Sequence, residues 1–372
     1  MRVVIAGGGT AGHIYPGISI ADELSLEMPE ADIIFAGNKD GLEAELVAEA
    51  GYAFEPIDVK GFKRSFSLSN ISSLVKAGGA FQHLRHFYKK FKPEAVVGTG
   101  GYVSAPAVFA AYSSKIPTLI HEQNAYPGLA NKILARFVDT VATSFPNGEE
   151  SFPKAKRVVF TGNPIRRKMI GAVKEVALEN LNLEQDKKTL LIFGGSQGAK
   201  KINDCLIEGY EKFKTVEDLQ IIHITGKDNF TDVCKTMRRL IDLKEDKIRY
   251  QAHPYISSIN QAYGAADLCI CRAGATTIAE LTALGVPAVL VPYPYATGQH
   301  QEKNARFLEN HGAAKVLLDE ELTADSLFES AKLVFDGKAL IEMKNHSQKL
   351  GKPFAANDLA KLVSGLSHKL RI

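Results

Sequence analysis

Short apolar runs alternate along the chain with longer amphipathic stretches. In the first half, the runs that predict strands are RVVIAGG, ADIIFAG, AVVGTG, TLIHEQ, TVATSF and RVVFTG. In the second half they are TLLIFGGS, LQIIHITG, IRYQAH, LCICRAG, AVLVPY and AKVLL. These runs are rich in Val and Ile and are bordered by Gly or Pro, and the stretches between them have helical length. The alternation predicts βαβ units, that is, parallel sheets covered by helices on both faces.

The two halves of the chain begin in the same way. VVIAGGGTAGH opens the first half and LLIFGGSQGAKKIN opens the second, and each predicts a strand, a glycine loop and a helix. A chain of 372 residues is also long for one core. We therefore predict two doubly wound domains, residues 1–162 and 163–348, joined where Asn163-Pro164 interrupts regular structure. Residues 349–372 predict a final helix, which we expect to return to the first domain, although periodicity alone does not decide this.

Composition narrows the class of protein. The chain is 45% hydrophobic and 23% charged, and its net charge of +3 is too small to indicate nucleic-acid binding by itself. Cys269 and Cys271 lie in an apolar strand, which predicts buried thiols and a reducing compartment. The apolar run after Arg2 is too short for a signal peptide, and the uncharged stretch 95–114 predicts a strand, a glycine turn and a helix. We expect a cytoplasmic protein that can touch a membrane.

The first glycine loop fits the dinucleotide fingerprint G-x-G-x-x-G through Gly7, Gly9 and Gly12. That fold also requires an acid at the end of the second strand, where it bonds the ribose. Asp32 instead begins that strand, and Asp40 lies beyond its end. An NAD-dependent dehydrogenase is therefore disfavoured, and a tight turn that binds no ligand is the simpler alternative.

His13 changes this interpretation because it follows the loop at the start of the predicted helix. The positive end of a helix dipole favours the neutral imidazole, which can accept a proton. A general base at the carboxyl edge of the sheet is favoured over a histidine that only fills the core.

The second half contains a further set of candidate ligand-binding residues. The loop GGSQGAKKIN resembles a phosphate loop without the Walker spacing, and the backbone from Ser196 to Gly198 could hold a pyrophosphate at a helix N-terminus. Glu280 could bind a ribose diol, although a helix-surface acid is the alternative. The side chains of Gln299, His300, Gln301 and Asn304 could bond sugar hydroxyls or could simply form a hydrophilic loop.

A polar cluster follows the strand TLIHEQ: His121, Glu122, Gln123 and Asn124. Four such side chains at the carboxyl edge of a sheet indicate a site. Neither H-E-x-x-H, C-x-x-C nor a carboxylate triplet occurs, so we predict no protein-bound metal.

Residues 60–92 contain basic and apolar side chains but neither Asp nor Glu. The basic residues are Lys60, Lys63, Arg64, Lys76, Arg85, Lys89, Lys90 and Lys92, and the apolar ones include Phe62, Phe66, Leu68, Leu74, Val75, Phe81 and Phe87. This combination predicts attachment to an anionic membrane surface. A solvated helix face is the alternative, and RNA is disfavoured because no nucleic-acid module accompanies the segment.

Seven motifs taken together resemble the peptidoglycan N-acetylglucosaminyltransferases of glycosyltransferase family 28. They are GGGTAGHIYPG, GTGGYVSAPAVFAA, HEQNAYPGLANK, TGNPIR, GGSQGAKKIN, CRAGATTIAEL and QHQEKNA, and they extend to about residue 315 in the family's order. The resemblance implies a GT-B fold, two Rossmann-like α/β domains separated by a cleft. It also implies UDP-GlcNAc as donor on the second domain and undecaprenyl-linked lipid I as acceptor on the first. The protein would then act as a peripheral protein on the cytoplasmic side of the cell membrane.

The resemblance also implies roles for individual residues. The reacting sugar and diphosphate would be faced by Thr10, Ala11, Gly12 and His13, and the donor sugar would contact Asn124. The diphosphate would meet Arg166 and Ser196, and the uracil would meet Ile256. The phosphate and ribose would be held by Ala275, Thr276, Thr277, Ile278, Ala279 and Glu280, and the GlcNAc hydroxyls by Gln301. The membrane and acceptor face would comprise Lys63, Arg64, Phe66, Lys76, Phe81, Arg85, Lys89 and Lys90. The family usually has glycine where this chain has Ala11, whose methyl group disfavours a positive φ.

The implied reaction is transfer of GlcNAc to the C4 hydroxyl of the MurNAc unit in lipid I, with inversion at the anomeric carbon. Inversion places a base opposite the leaving group, and His13 is the candidate. Cell-wall assembly proteins are possible partners. Two other classes of function remain open, a UDP-sugar 2-epimerase and a non-catalytic protein that binds nucleotide-sugars or membranes.

Overall fold

The computed structural model describes residues 1–61, 69–195, 197–242 and 245–368, with the side chains of 69–71 and 368 excepted. The chain divides into two compact units. The first unit comprises Met1–Arg166 and the segment from Phe354 onward, and the second comprises Arg167–Pro353. The divisions fall four and five residues beyond the positions 162 and 348 that end the two predicted domains.

The first unit contains a parallel sheet. Its strands are β1 (Arg2–Gly7), β2 (Asp32–Asn38), β3 (Ala53–Ile57), β4 (Ala95–Gly100), β5 (Thr118–Glu122), β6 (Thr140–Thr143) and β7 (Val158–Phe160), in the order β3-β2-β1-β4-β5-β6-β7. The pattern missed β3, because Glu55 and Pro56 interrupt its apolar character. Proline is tolerated there because β3 lies at the edge of the sheet.

Helices cover both faces of this first sheet. They are α1 (Ala11–Glu27), α2 (Leu42–Glu49), α3 (Ser69–Phe91), α4 (Ser104–Ser113), α5 (Leu129–Leu134) and α6 (Gly148–Ser151). On one face, Val4 and Ala6 of β1 form a core with Leu84 and Tyr88 of α3. On the other face, Val3 and Ile5 pack with residues of α1. β1 therefore reads as a continuous apolar run because both of its faces are buried.

The second unit repeats this plan. Its strands are β8 (Lys188–Phe193), β9 (Leu219–Ile224), β10 (Arg249–His253), β11 (Leu268–Cys271), β12 (Ala288–Leu290) and β13 (Lys315–Val316), all parallel and in the order β10-β9-β8-β11-β12-β13. Its helices are α7 (Lys174–Asn180), α8 (Lys200–Glu208), α9 (Tyr210–Phe213), α10 (Lys227–Leu240), α11 (Ile259–Ala265), α12 (Ala275–Leu284), α13 (His300–Asn310), α14 (Ala324–Ala331) and α15 (Gly337–Leu350). Cys269 and Cys271 are buried thiols, as predicted.

The final helix, α16 (Ala355–His368), belongs to the first unit and packs against α1. Leu359, Ala360, Val363 and Leu366 are buried in the core that also contains Val3 and Ile5. None of the helices in the described part of the chain is both long enough and apolar enough to cross a membrane.

The strand orders locate the candidate sites. In each sheet the order reverses beside the first strand of the unit, between β1 and β4 and between β8 and β11. Ligands of such open sheets bind at the carboxyl ends of the strands at this switch point. The two glycine loops follow β1 and β8, so each lies at a switch point.

Candidate functional site

The first glycine loop packs directly against the turn that follows β4. The N–H of Gly8 donates to the carbonyl oxygen of Gly100 at 3.3 Å. A Cβ at Gly101, which has a φ of +77°, would lie 2.1 Å from the carbonyl oxygen of Gly8. These glycines therefore permit the close approach of two backbone segments, which explains part of the glycine pattern without a dinucleotide.

Glu43 in the first turn of α2 occupies the inner side of this loop. Its side chain is 1% exposed, and its carboxylate accepts hydrogen bonds from the N–H groups of Gly9 at 3.1 Å and Asn38 at 3.0 Å. A phosphate bound at the Gly9 amide would meet this carboxylate, so the loop is poorly suited to a dinucleotide. Sequence reasoning missed Glu43, because it sought an acid at the end of β2 and this acid comes from the following helix.

Ala11 begins α1, and Thr10 precedes the helix with an extended φ of −146°. The left-handed position in the loop is Gly9, with a φ of +82°, and Ala11 has helical backbone geometry. The methyl group of Ala11 therefore does not strain the loop, and the substitution of the family's usual glycine leaves its shape intact.

His13 lies in the first turn of α1 and is half-buried. Its Nδ1 is 3.3 Å from Oε1 of Gln123, and its carbonyl oxygen accepts from the hydroxyl of Thr99 at 2.8 Å. The ring also lies against the backbone of Gly100, since a Cβ there would be 2.5 Å from Nδ1. The imidazole is thus held on two sides at the carboxyl edge of the sheet.

Gln123 links His13 to a second, buried histidine. Its Nε2 donates to the carbonyl oxygen of Thr99 at 2.6 Å and lies 3.1 Å from Nδ1 of His121. Nε2 of His121 is 3.1 Å from the carbonyl oxygen of Gly162. Burial lowers the pKa of His121 to about 4, so this ring is neutral at physiological pH.

Glu122 organises the rest of the polar cluster. Its buried carboxylate accepts from the backbone N–H of Asn124 at 3.0 Å, from the Asn124 side-chain amide at 3.2 Å, from the N–H of Gly128 at 3.0 Å and from Nδ2 of Asn131 at 2.8 Å. The amide nitrogen of Asn124 faces Glu122, so its oxygen is the atom turned elsewhere. Glu122 thus fixes the orientation of the Asn124 amide, and the predicted contact of Asn124 with the donor sugar stays a prediction.

Arg166 is the last residue of the first unit's long segment. Its guanidinium lies 4.9 Å from the centroid of the Tyr15 ring, on α1 two residues after His13. The predicted cation for the diphosphate is therefore anchored on the same helix as the predicted base.

The second glycine loop is wound tightly on its own backbone. A Cβ at Gly198, which has a φ of +77°, would lie 2.1 Å from the carbonyl oxygen of Thr225. The N–H of Gly198 donates to the carbonyl oxygen of Gly195 at 3.0 Å. This N–H is thus used within the turn, contrary to the expectation that it binds pyrophosphate. Ser196 lies outside the described residues.

The segment Ala275 to Glu280 forms the first turns of α12. Within the described part of the chain, the buried hydroxyl oxygen of Thr276 has no hydrogen-bond partner. Glu280 is 7% exposed, and one of its carboxylate oxygens accepts from the hydroxyl of Tyr263 at 3.0 Å. The unpaired hydroxyl of Thr276, beside the N-terminus of α12, is the type of buried polar group that a bound anion can satisfy. The carboxylate of Glu280, in contrast, already has a partner in Tyr263. Glu280 is therefore a buried, held carboxylate, and the surface-acid alternative is wrong.

The remaining residues predicted to bind the donor lie at the same edge of the second sheet. Oε1 of Gln301, in the first turn of α13, accepts from the N–H of Tyr293 at 2.9 Å, which leaves the amide nitrogen to donate elsewhere. Nδ1 of His300 is 2.5 Å from the carbonyl oxygen of Thr297. Ile256 is half-buried in the loop after β10.

The buried Arg272 and the partly buried Asp319 form an ion pair that the sequence did not predict. The Arg272 guanidinium lies 2.5 Å from Asp319 and also donates to the carbonyl oxygens of Val291 and Pro292 at 3.3 and 3.1 Å. The ammonium of Lys201 is 3.5 Å from the same Asp319 carboxylate, so this lysine joins the same cluster of charges. Arg272 follows β11, the carbonyl groups that it bonds follow β12, and Lys201 lies on α8. The charge cluster therefore ties these three segments together and positions the loops of the second site.

The predicted membrane face is only partly as expected. Lys63, Arg64 and Phe66 lie outside the described residues. Arg85, Lys89 and Lys90 are exposed on α3, and the same helix exposes Leu74 (62%) and Val75 (70%). Phe81, in contrast, packs against the core, and the Lys76 ammonium pairs with Asp58 at 2.6 Å. Phe81 is therefore half-buried against this core rather than fully exposed for a membrane.

The described residues contain no group of three or more His, Cys, Asp or Glu side chains that could hold a metal ion. The prediction that the protein binds no metal stays a prediction.

Comparisons with known proteins agree along the whole length of the chain. Two family models match, the glycosyltransferase family 28 N-terminal domain over residues 3–143 and the C-terminal domain over residues 189–362. A protein of Halothermothrix orenii called UDP-N-acetylglucosamine–N-acetylmuramyl-(pentapeptide) pyrophosphoryl-undecaprenol N-acetylglucosamine transferase is 47% identical, and the alignment covers 98% of both chains.

Solved structures are also similar. MurG of Acinetobacter baumannii matches with a TM-score of 0.77 at 30% identity, over 98% of this chain and 99% of that one. This match confirms the predicted GT-B class, two Rossmann-like α/β domains. UDP-GlcNAc 2-epimerase from Neisseria meningitidis matches with a TM-score of 0.67 at 15% identity, over 99% of this chain and 100% of that one. At that identity the epimerase shares the fold alone.

Proposed function

Since this chain belongs to glycosyltransferase family 28, we propose that it transfers N-acetylglucosamine from UDP-GlcNAc to the MurNAc C4 hydroxyl of undecaprenyl-pyrophosphoryl-MurNAc-pentapeptide, with inversion at the anomeric carbon. The product is lipid II, the lipid-linked disaccharide of peptidoglycan synthesis. The observation that carries the proposal is the 47% identity, over 98% of both chains, to a relative that bears this activity in its name.

The proposed chemistry is an in-line displacement. The C4 oxygen of the acceptor forms a bond to C1 of the donor sugar, the bond from C1 to the β-phosphate oxygen breaks, and its electron pair leaves with UDP. The hydroxyl proton passes to His13, the half-buried imidazole at the edge of the first sheet. A positioned general base contributes roughly 100- to 10,000-fold in rate.

The second unit would hold the donor. Thr276 and its neighbours at the N-terminus of α12 would bind the phosphates, because this end of a helix presents unpaired N–H groups and positive charge. Glu280, already oriented by Tyr263, would accept both hydroxyls of the ribose. Gln301 would donate its amide N–H to a GlcNAc hydroxyl. Asn124 and Arg166, which belong to the first unit, stay predicted contacts of the donor sugar and the diphosphate.

The decisive experiment measures transfer of labelled GlcNAc from UDP-GlcNAc to lipid I, with UDP-glucose and UDP-GalNAc as control donors. We expect a lipid-linked disaccharide from UDP-GlcNAc only. Conversion of UDP-GlcNAc to its C2 epimer without lipid I would instead indicate an epimerase. Binding of UDP-GlcNAc with neither reaction would indicate a non-catalytic protein.

We further propose that α3 binds the cytoplasmic membrane surface, which carries the lipid-linked acceptor. Leu74 and Val75 would enter the headgroup region, and Arg85, Lys89 and Lys90 would meet anionic lipids. Each basic residue near such a surface contributes about 1 kcal/mol. Nucleic acid is not a partner in this proposal, and cell-wall assembly proteins remain expected partners.

A vesicle-binding assay tests the membrane proposal. Changing Arg85, Lys89 and Lys90 to Gln should weaken binding to vesicles with 30% phosphatidylglycerol by roughly 100-fold. The matched control changes Lys338, Lys344 and Lys349, three exposed lysines on α15, and removes the same charge from the second unit. Equal losses in both triple variants would reject a specific membrane face.

A further inference from the structure

Gln123 contacts a backbone carbonyl, a buried histidine and the proposed base. We propose that Gln123 is a positioning residue that holds His13 in the tautomer with its proton on Nδ1, so that Nε2 takes the proton from the acceptor hydroxyl. The catalytic part of this inference rests on the proposed function, because it assumes that His13 is the base. The tautomer itself can be measured without any activity.

The orientation of the Gln123 amide follows from the carbonyl oxygen of Thr99. A carbonyl oxygen accepts hydrogen bonds but cannot donate them, so the amide atom 2.6 Å away must be the NH2 group. The other amide atom, Oε1, therefore faces Nδ1 of His13 at 3.3 Å. Because Oε1 is also only an acceptor, the shared hydrogen must belong to Nδ1.

His121 fixes the same orientation independently. Its Nε2 lies 3.1 Å from the carbonyl oxygen of Gly162, so Nε2 carries a hydrogen. Burial keeps the ring neutral, and its pKa is lowered to about 4. Nδ1 of His121 therefore bears a lone pair and accepts from the Gln123 NH2 group at 3.1 Å. The NH2 group also lies 3.3 Å from the carbonyl oxygen of His121, so its partners, at Thr99 and at His121, are all acceptors.

The consequence for the reaction concerns where the proton goes. In neutral His13 the lone pair lies on Nε2, and proton transfer to it yields an imidazolium whose Nδ1–H still donates to Gln123. Gln123 is uncharged, so it orients the ring without adding a negative charge at the site. The ring is held as well by its contact with the Gly100 backbone. A hydrogen bond of 3.3 Å is typical of a site before substrate binding tightens it.

The test is 15N NMR of the full chain labelled at histidine, with the His13 signals assigned by their loss in His13→Asn. Wild-type protein at pH 8 should show a protonated Nδ1 and an unprotonated Nε2 at His13. In Gln123→Met, which keeps the length of the side chain without an acceptor, this pattern should be lost. The kcat for transfer should then fall by about tenfold or more, while KM for UDP-GlcNAc stays within about twofold.

Two further variants separate positioning from stability. Gln123→Glu retains an acceptor opposite His13 and should keep the proton on Nδ1, while stability falls because its second oxygen faces the carbonyl oxygen of Thr99. Asn131→Ala removes a bond to Glu122 nearby in the same unit and should lower stability without moving the His13 tautomer.

Three results would overturn the inference. They are a protonated Nε2 and bare Nδ1 at His13 in the wild type, an unchanged tautomer in Gln123→Met, and a lost tautomer with unchanged kcat. The wild-type spectrum does not depend on Gln123→Met, so misfolding of that variant cannot leave the question open. Absence of GlcNAc transfer in the wild type would reject the proposed function, while the spectrum would still decide the tautomer.

Discussion

Beside its glycine loop, each unit has the same hydrogen-bonding pattern, in which a backbone carbonyl orients an amide side chain and the amide oxygen faces a histidine. The two units differ in how far that histidine is exposed. In the first unit, the carbonyl of Thr99 orients Gln123, whose oxygen faces His13. In the second, the carbonyl of Thr225 orients Asn203 at 3.0 Å, and the Asn203 oxygen lies 2.9 Å from Nε2 of His223.

The difference is burial. His13 is half-buried, whereas His223 is fully buried, contacts the hydroxyl of Tyr250 at 2.7 Å, and has its pKa lowered by burial to about 3. An imidazole can serve as a base only where substrate can reach it. The same pattern would thus orient the proposed base in the first unit, whereas in the second unit it holds a histidine that is buried beneath the glycine loop.

The largest effect is expected from His13→Ala. Loss of a general base should lower kcat for GlcNAc transfer by roughly 100- to 10,000-fold. Calorimetry should show unchanged affinity for UDP, because the second unit is proposed to bind it. Activity near the wild-type value would show that another group takes the proton, and the comparison between the two imidazoles would then fail.

Glu280→Gln should weaken the binding of UDP rather than act on the proton-transfer step. Loss of a charged acceptor for the ribose hydroxyls corresponds to about 1.5–3 kcal/mol, so the Kd for UDP should rise by roughly 10- to 100-fold. Tyr263→Phe removes only the hydroxyl that bonds Glu280, so it should have a smaller effect in the same direction. An unchanged Kd in Glu280→Gln would place the nucleotide elsewhere.

Acid should destabilise both units through their buried histidines. The pKa is about 4 for His121 and about 3 for His223 in the folded protein, below the value of about 6.5 of an unfolded histidine. The unfolded state therefore binds more protons as the pH falls below about 6.5, and stability declines from there towards pH 4. Each histidine should reduce the free energy of unfolding by about 2 kcal/mol at pH 5 relative to pH 7.5.

Urea unfolding followed by circular dichroism at pH 7.5, 6 and 5 measures this loss. Burial also lowers the pKa of His253 in the second unit, so His223→Gln removes one of two such groups and should reduce the pH dependence of that unit's transition. A pH dependence equally steep in His223→Gln would assign the acid sensitivity to other groups.

Glu43→Gln tests whether the first loop is closed to phosphate by its own acid. Replacing a charged acceptor of two backbone N–H groups should lower the free energy of unfolding by about 1–2 kcal/mol. Glu45→Gln, at an exposed position on the same helix, should change it by less than about 0.5 kcal/mol. UDP affinity should be unchanged in both variants, and a gain in Glu43→Gln would show that the first loop can take a phosphate.

Much of the fold follows from local sequence. Parallel strands buried on both faces are nearly continuous apolar runs, so β1 and β4 could be predicted from the local pattern alone. β3 could not, because an edge strand needs fewer apolar residues and tolerates Pro56. The return of α16 to the first unit depends on contacts between residues more than 300 positions apart, such as Asn357 with Glu27 at 2.8 Å.

The candidate site was predictable in its residues but not in its connections. His13 and Glu280 follow from their places after a strand and within a helix. The role of Gln123 depends on a carbonyl 24 positions earlier, and that of Arg272 on a carboxylate 47 positions later. No local pattern encodes such pairings, because they arise only when parallel strands bring their carboxyl ends together.

The position of α16 bears on how the chain is made. The first unit cannot complete its core until Leu359 and Val363 have been synthesised, although its longer segment precedes the second unit in the chain. The second unit is continuous in sequence and can close before it. Biogenesis should therefore run against the order of the two units along the chain, with the first unit dependent on a helix that follows the whole of the second.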